Sequence, residues 1–271
     1  MLQDTLSQTH VVSVGAAATI FGTTSDAYFA QLVTHAGQDI SGHNPTFMRV
    51  AEQLPLDGTI IDIGANIGLT ALPGARRVPF GKVIAVEPSP LAFSALQRMV
   101  DTNGLTNCEP VNMCMGAQPG TVAFVENADF LAGSYVVADA REASTVTAEM
   151  TTLDQFVSER GIASVDLVKI DVEGFELDVL QGAVRTIERL NPTFVMEFNS
   201  YAIVANLNRS PRALLDFIHD KFGSFRVYRD GCLATISTLE ERRAFIYENM
   251  TRYGTVEDII FGRDIYLPEA L

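Results

Sequence analysis

Basic residues are scarce in this chain. It carries 19 Lys and Arg against 33 Asp and Glu, a formal net charge of −14 over 271 residues. A surface this acidic argues against nucleic acid or an anionic membrane as partner. No run of 18 apolar residues occurs, so no transmembrane helix is expected. The mildly apolar stretch Val11 to Phe21 has no basic flank, because Lys and Arg are absent before Arg49, and it does not read as a signal peptide. The sequon Asn249-Met250-Thr251 is then a chance match. Cysteine is sparse as well. Cys108, Cys114 and Cys232 lack metal-ligand spacing and read as thiols of a reducing compartment, so a cytoplasmic location is expected. His10, His35, His43 and His219 form no metal pattern either. His219 sits among apolar helix positions and reads as packing; His35 and His43 could reach a pocket from the N-terminal segment.

What is present is apolar substance: 47% of residues are hydrophobic and the mean hydropathy is +0.17. That suffices for one sizeable α/β domain. The organising stretch is Gly58 to Gly68, GTIIDIGANIG. Its β-branched run reads as a buried parallel strand. Gly64 and Gly68 then allow a tight turn and close approach to a ligand. Leu69 to Leu72 can begin a helix, and strand, turn, helix is the start of a nucleotide-type site. A dinucleotide fingerprint from Gly64 would need glycine where Asn66 and Leu69 stand, and no Gly-Lys-Ser/Thr follows. What remains is Asp-x-Gly-x-x-x-Gly, with Glu87 closing the next strand 19 positions past Gly68. An acidic side chain there can accept both ribose hydroxyls.

Strand and helix signals alternate along the rest of the chain. Strands are expected at Lys82–Val86, Glu109–Met115, Asp166–Ile170, Phe194–Phe198, Phe225–Tyr228 and Asp258–Phe261, and Thr121–Val125 alternates like an exposed strand, half of a hairpin. Residues 1–24 read as a tail or a covering strand. Asn44-Pro45, Ser89-Pro90 and Ser210-Pro211 are helix starts, and Pro73 implies a kink or a late start in the first core helix. One helix is expected over Gly174–Leu190, a loop over residues 126–144, and an insertion with a helix over 231–257. The pattern predicts a doubly wound α/β sheet. Its domains are an N-terminal helical segment, residues 1–55, packed on a core domain, residues 56–271.

The segments IDIGANIG (61–68), VIAVEPSP (83–90), TTLDQF (151–156), LVKIDVEGFE (167–176), VLQGA (179–183) and FVMEF (194–198) together resemble the FkbM family of class I S-adenosylmethionine (SAM)-dependent methyltransferases. The resemblance implies a Rossmann-like seven-stranded sheet with the last strand antiparallel. It also implies methyl transfer from SAM to a hydroxyl of a sugar or polyketide-like small molecule. Mapped on this chain, the cofactor residues are Asp62, Gly64, Ala65, Asn66, Gly68 and Glu87, with Cys114 and Met115 beside the adenine. Asp62 suits the SAM ammonium, and the helix N-terminus after Gly68 suits its carboxylate. Asp171 holds SAM or orients the acceptor; Asp171, Glu173 and Glu197 are the catalytic candidates, Glu173 as base. The alternative for Glu173 is to cap the helix opening at Gly174, and Lys169 reads as a structural ion-pair partner. Asp171, Glu173 and Glu197 could together hold a divalent ion, but the family resemblance does not demand one, and no metal is expected. Two other readings are a nicotinamide-dependent oxidoreductase and a methyltransferase-like domain that binds without catalysing. An amine acceptor is a further alternative.

Overall fold

The computed structural model describes residues 9–14, 18–23, 25–34, 44–137 and 145–269. His35 and His43 lie outside the described residues. The first described elements are an antiparallel hairpin, β1 (Thr9–Val14) and β2 (Ala18–Thr23), followed by α1 (Ala27–Thr34) and α2 (Pro45–Ala51). The N-terminal segment therefore holds a covering hairpin as well as helices. Asn44 caps α2, its Oδ1 accepting from the Phe47 N–H at 2.8 Å.

Next come β3 (Thr59–Ile63), α3 (Ala71–Arg77), β4 (Lys82–Val86), α4 (Pro90–Thr102) and β5 (Cys108–Val111). The late start of α3 puts Pro73 in the first turn, where its missing N–H costs no hydrogen bond.

The expected strand Glu109–Met115 is corrected. It ends at Val111, and Asn112 is pinned outside it, its Nδ2 donating to the carbonyls of Glu87 and Pro88. The chain then enters a second sheet made of β6 (Cys114–Met115), β7 (Gly120–Val125), β8 (Tyr135–Val136) and β9 (Thr145–Thr151), ordered β6-β9-β7-β8. Residues 126–144 were expected as loop; Tyr135 and Val136 instead pair with β7, and residues 138–144 lie outside the described part.

The second half runs α5 (Leu153–Glu159), β10 (Leu167–Ile170), α6 (Glu176–Gln181), α7 (Val184–Leu190), β11 (Thr193–Asn199), α8 (Ser200–Ala205) and α9 (Pro211–Phe222). It closes with β12 (Phe225–Arg229), β13 (Cys232–Ile236), α10 (Leu239–Thr251) and β14 (Val256–Gly262). The single helix expected over Gly174–Leu190 is two helices, broken at Gly182-Ala183. Asp154 makes the break. Its carboxylate accepts from the Arg185 and Thr186 N–H groups, which would otherwise be orphaned at the start of α7. The Asp of TTLDQF is thus a helix cap reaching across from α5. Asp154→Ala should lower stability by about 1–2 kcal/mol in chemical denaturation while leaving cofactor affinity unchanged.

The main sheet has eight strands in the order β13-β12-β14-β11-β10-β3-β4-β5. The expected seven are present, and β14 is antiparallel to both neighbours. β13 adds an eighth strand at the edge, inside what sequence reads as an insertion. Successive residues of β3 serve opposite cores: Ile60 packs with α2, α3, α4 and β2, whereas Ile61 and Ile63 pack with α5, α6 and α9. Both faces are covered, which is why the strand sequences read as continuous apolar runs. The chain leaves β3 toward β4 on one side and later places β10 on the other. The crevice beyond β3 is therefore the topological switch point where such sheets take ligands.

Candidate active site

A cleft of about 380 Å³ opens there. One wall is the β3 turn, with Gly64, Ala65 and Asn66; another is the end of β4, with Glu87. The small sheet closes a third side with Cys114, Met115, Phe124 and Val136. Asp171, Glu173 and Glu197 enter from the ends of β10 and β11. Among the sequence candidates, Asp62 and Gly68 do not line the wall.

Gly64 is required by geometry. It has a φ of +85°, and a Cβ there would overlap the Asp171 carbonyl oxygen. The turns after β3 and β10 thus touch through a missing side chain. The turn's N–H groups are largely spoken for: those of Gly64 and Ala65 donate to the Val86 carbonyl, at 2.9 and 3.0 Å.

Glu87 binds the turn from the other side. One oxygen accepts from the Asn66 N–H and the other from the Ser89 N–H, each at 2.8 Å. Both oxygens keep lone pairs for a diol. Burial pushes the Glu87 carboxyl up to about 7, against those two hydrogen bonds, which lower it. Glu126 sits behind it, accepting from Ser89 Oγ at 2.6 Å and from the Leu91 N–H at 3.1 Å. That contact ties the end of β7 to the start of α4. Cys114 is buried in the wall, and burial pushes its thiol up to about 12, so it presents a neutral, polarisable surface.

The other end of the cleft is acidic. Strand register places Asp62 beside Lys169, and Glu197 beside Asp258. Alternate residues share a face, so Asp62, Lys169, Asp171, Glu197 and Asp258 all belong to one face of the sheet. Lys169 is 1% exposed. Its Nζ lies 3.2 Å from Asp171 and 3.9 Å from Asp258. Burial alone would lower the ammonium, but Asp171, Asp258, Glu197 and Asp62 together raise it. It stays charged, as the ion-pair reading expects. One cation does not neutralise so many carboxyls. Burial, with Asp171 nearby, pushes Glu173 up to about 8. Burial and Asp171 likewise hold Glu197 well above the usual carboxylate range. Asp171, Glu173 and Glu197 each bring one oxygen within 4.8 Å of the others, close enough to share a proton or a cation.

Glu173 does not cap the following helix. It has a φ of +53°, and Glu176, buried, accepts from the Gly174 N–H at 3.0 Å instead. Glu176, Asp258 and Asn44 are not site candidates in the sequence reading. Asp258 is separated from Glu197 by 60 residues, and only the β11–β14 ladder joins them. Asn44 was legible only as a helix cap, yet it also lines the cleft and hydrogen-bonds Asp258. His219 is outside the wall, its Nδ1 lying 2.8 Å from the Gly223 carbonyl at the end of α9.

A doubly wound sheet whose switch point carries a glycine turn and an acidic group after the next strand defines an α/β protein built for a nucleoside cofactor. The chain matches the family model described as the methyltransferase FkbM domain over residues 62–227, and it belongs to that family. It is 27% identical to Methyltransferase 1 of Beauveria bassiana over 147 residues, covering 47% of this chain and 59% of the relative. It is 25% identical to the hexuronic acid methyltransferase AglP of Haloferax volcanii, covering 57% of this chain and 62% of that one. It is 28% identical to the 2-O-methyltransferase NoeI of Sinorhizobium fredii, covering 49% of this chain and 60% of that one. The chain spans about three fifths of the length of these curated relatives. SAM is the cofactor, and the residues present fit it. Asp62 Oδ2 is buried with no hydrogen-bond partner, as is Asn66 Oδ1. A buried polar atom left unpaired is costly, and both flank the turn on which an ammonium and a ribose would rest.

Proposed function

We propose that this protein is a SAM-dependent O-methyltransferase acting on a hydroxyl of a sugar or polyketide-like small molecule. The observation that carries the reading is one cleft with two chemistries. A carboxylate with lone pairs free for a diol, Glu87, closes one end, and three carboxyls, Asp171, Glu173 and Glu197, crowd the other. The names of the two relatives that specify a hexuronic acid and a 2-O position support a hydroxylated acceptor.

SAM supplies a methyl group on a cationic sulfur, activated by its own leaving group. Glu87 would hold the ribose hydroxyls, Cys114 and Met115 the adenine face, and Asp62 the ammonium, directly or through water. Asp171, anchored by Lys169, orients the acceptor hydroxyl, and Glu173 takes its proton. A carboxyl raised to about 8 is a far better proton acceptor than an ordinary one, yet is still partly ionised near neutrality. Alignment of acceptor and methyl can supply about 7–11 kcal/mol. General base catalysis adds about 10²–10⁴-fold.

The scheme uses no metal: burial and mutual repulsion hold Glu173 and Glu197 partly protonated, so the charge left over is the one that Lys169 pairs at Asp171. Methyl transfer should therefore survive dialysis against EDTA at more than about half its rate. The test of the cofactor is thermal. SAM or its demethylated product at 100 times Kd should stabilise the protein by about 2.7 kcal/mol, and NAD should not; stabilisation by NAD alone would reverse the assignment. The test of the reaction is transfer of labelled methyl to a panel of hydroxylated sugars and polyketides, with amines as the contrast.

Among the described residues no helix is long and apolar enough to cross a membrane. The acidic composition supports a small-molecule acceptor rather than a nucleic-acid or membrane partner, and the three free cysteines support a cytoplasmic enzyme. We also keep the division into an N-terminal covering segment, residues 1–55, and a core domain, 56–271, as a proposal. The core cluster that joins Phe21, Phe29 and Phe47 to Ile60 argues that the two parts fold together.

A further inference from the structure

We propose that Asn199 is a positioning residue that holds the Glu173 carboxylate in its working orientation. The proposal rests on the reading of Glu173 as the base. Glu173 sits in the left-handed region at φ +53°, which a side-chain-bearing residue rarely adopts without outside restraint. Two amides supply that restraint. Asn206, just past α8, donates from Nδ2 to the Glu173 carbonyl at 3.1 Å. Asn199, at the end of β11, donates from Nδ2 to Glu173 Oε2 at 3.1 Å. Main chain and carboxylate are thus gripped separately, one from each end of α8.

The Asn199 amide has no freedom to turn round. Its Oδ1 caps α8, accepting from the Ala202 N–H at 3.0 Å. A flipped amide would set two donors against each other at the cap and two acceptors against each other at Glu173. Asn199 is 9% exposed, so water is a poor substitute for either contact. One side chain therefore performs two tasks, capping a helix and aiming a carboxylate. Of the groups facing Glu173, Asp171 at the end of β10, Glu176 on α6 and Glu197 on β11 are acidic. Lys169 is the cation, itself bound to Asp171 and near Asp258 of β14. Among these neighbours Asn199 is the neutral donor that contacts the carboxylate directly, and it favours the ionised form.

The two tasks can be separated, because Asp and Ser cap helices about as well as Asn. Neither reproduces the donor: Asp lacks one when ionised, and Ser is too short. The experiment compares the full-length enzyme, N199S, N199D and E173Q, all loaded with the demethylated cofactor. The readouts are Tm, cofactor Kd, and a carbon-13 NMR titration of labelled glutamate carboxyls, with the Glu173 signal assigned by its loss in E173Q. N199S should keep Tm within about 2 °C; N199D, which adds a like charge beside Glu173, is not held to that limit, and both variants should keep Kd within about twofold. The Glu173 midpoint should rise by about one pH unit in N199S, and further in N199D. With a hydroxyl acceptor drawn from the panel, kcat should fall about tenfold in both, with KM for SAM unchanged. Retention of kcat in both variants, with or without a shifted midpoint, would show that Asn199 only caps α8 and would overturn the proposal. If E173Q methylates at the wild-type rate, the base assignment fails instead, while the titration still reports whether Asn199 grips Glu173.

Discussion

Glu87→Ala should weaken SAM binding by at least about 100-fold, the largest loss of affinity expected from any single substitution in the cleft. Two effects add. The variant loses the acceptor for both ribose hydroxyls, and hydrogen bonds to a charged group contribute about 1.5–3 kcal/mol each. It also frees the Asn66 and Ser89 N–H groups that the carboxylate now holds, so the turn after β3 loses its brace. Glu87→Gln separates the two. Its single carbonyl oxygen can satisfy only one of the two N–H groups, and its amide nitrogen would confront the other. A loss of about tenfold is expected for the amide. Calorimetric titration with SAM decides the matter, and an Ala variant that binds within threefold of wild type would remove Glu87 from the ribose site. Because burial holds Glu87 near 7, SAM affinity should also fall as pH drops from 8 to 6.

Glu173→Gln should cut kcat by about 10²–10⁴-fold with SAM affinity unchanged, since the carboxyl lies at the acceptor end. In the wild type the rate should climb with pH, pass its half-maximum near 8, the value to which burial and Asp171 push the carboxyl, and level off above it. Glutamine removes that limb. A second consequence concerns stability, and its sign is opposite to that of an ordinary paired carboxylate. The folded-state value lies above the unfolded one, so the favourable contribution is complete below about 4.5 and is lost as pH rises through about 8. Above pH 8 the wild type carries an ionised Glu173 that its surroundings disfavour. Glu173→Gln should therefore melt higher than wild type at pH 8.5, by about 2–4 °C for each kcal/mol relieved, and should match it at pH 5. An enzyme that gains stability while losing turnover is what a poised base predicts. Equal melting at both pH values would argue that Glu173 titrates like a solvent-exposed glutamate.

Much of this site was legible in the chain because it is local. The turn from Asp62 to Gly68 is one strand end and one bend, and Glu87 closes the adjacent strand. Neighbouring parallel strands in register bring those two pieces together with little room for alternatives. The acceptor end is different. Asp171 and Glu173 lie in one short segment, but whether Glu173 caps a helix or faces the cleft depends on a backbone angle that sequence does not state. Asn199 and Asn206, held on a different strand and helix, settle it. Of the second sheet only the alternating strand Thr121–Val125 was legible, for a similar reason. Cys114 and Met115 carry the same apolar signal as a continuation of β5, and only their pairing with Met150 and Thr151 removes them from it.

The sequence by itself determined the doubly wound sheet, the ligand end of it and the carboxylate that closes β4, because period, glycine placement and strand-end charge act over a few residues. The tertiary structure decided which acidic groups crowd one another, which of them holds a helix, and which amide contacts Glu173. Those outcomes depend on burial and on contacts between residues far apart in the chain, and neither is written in any local pattern.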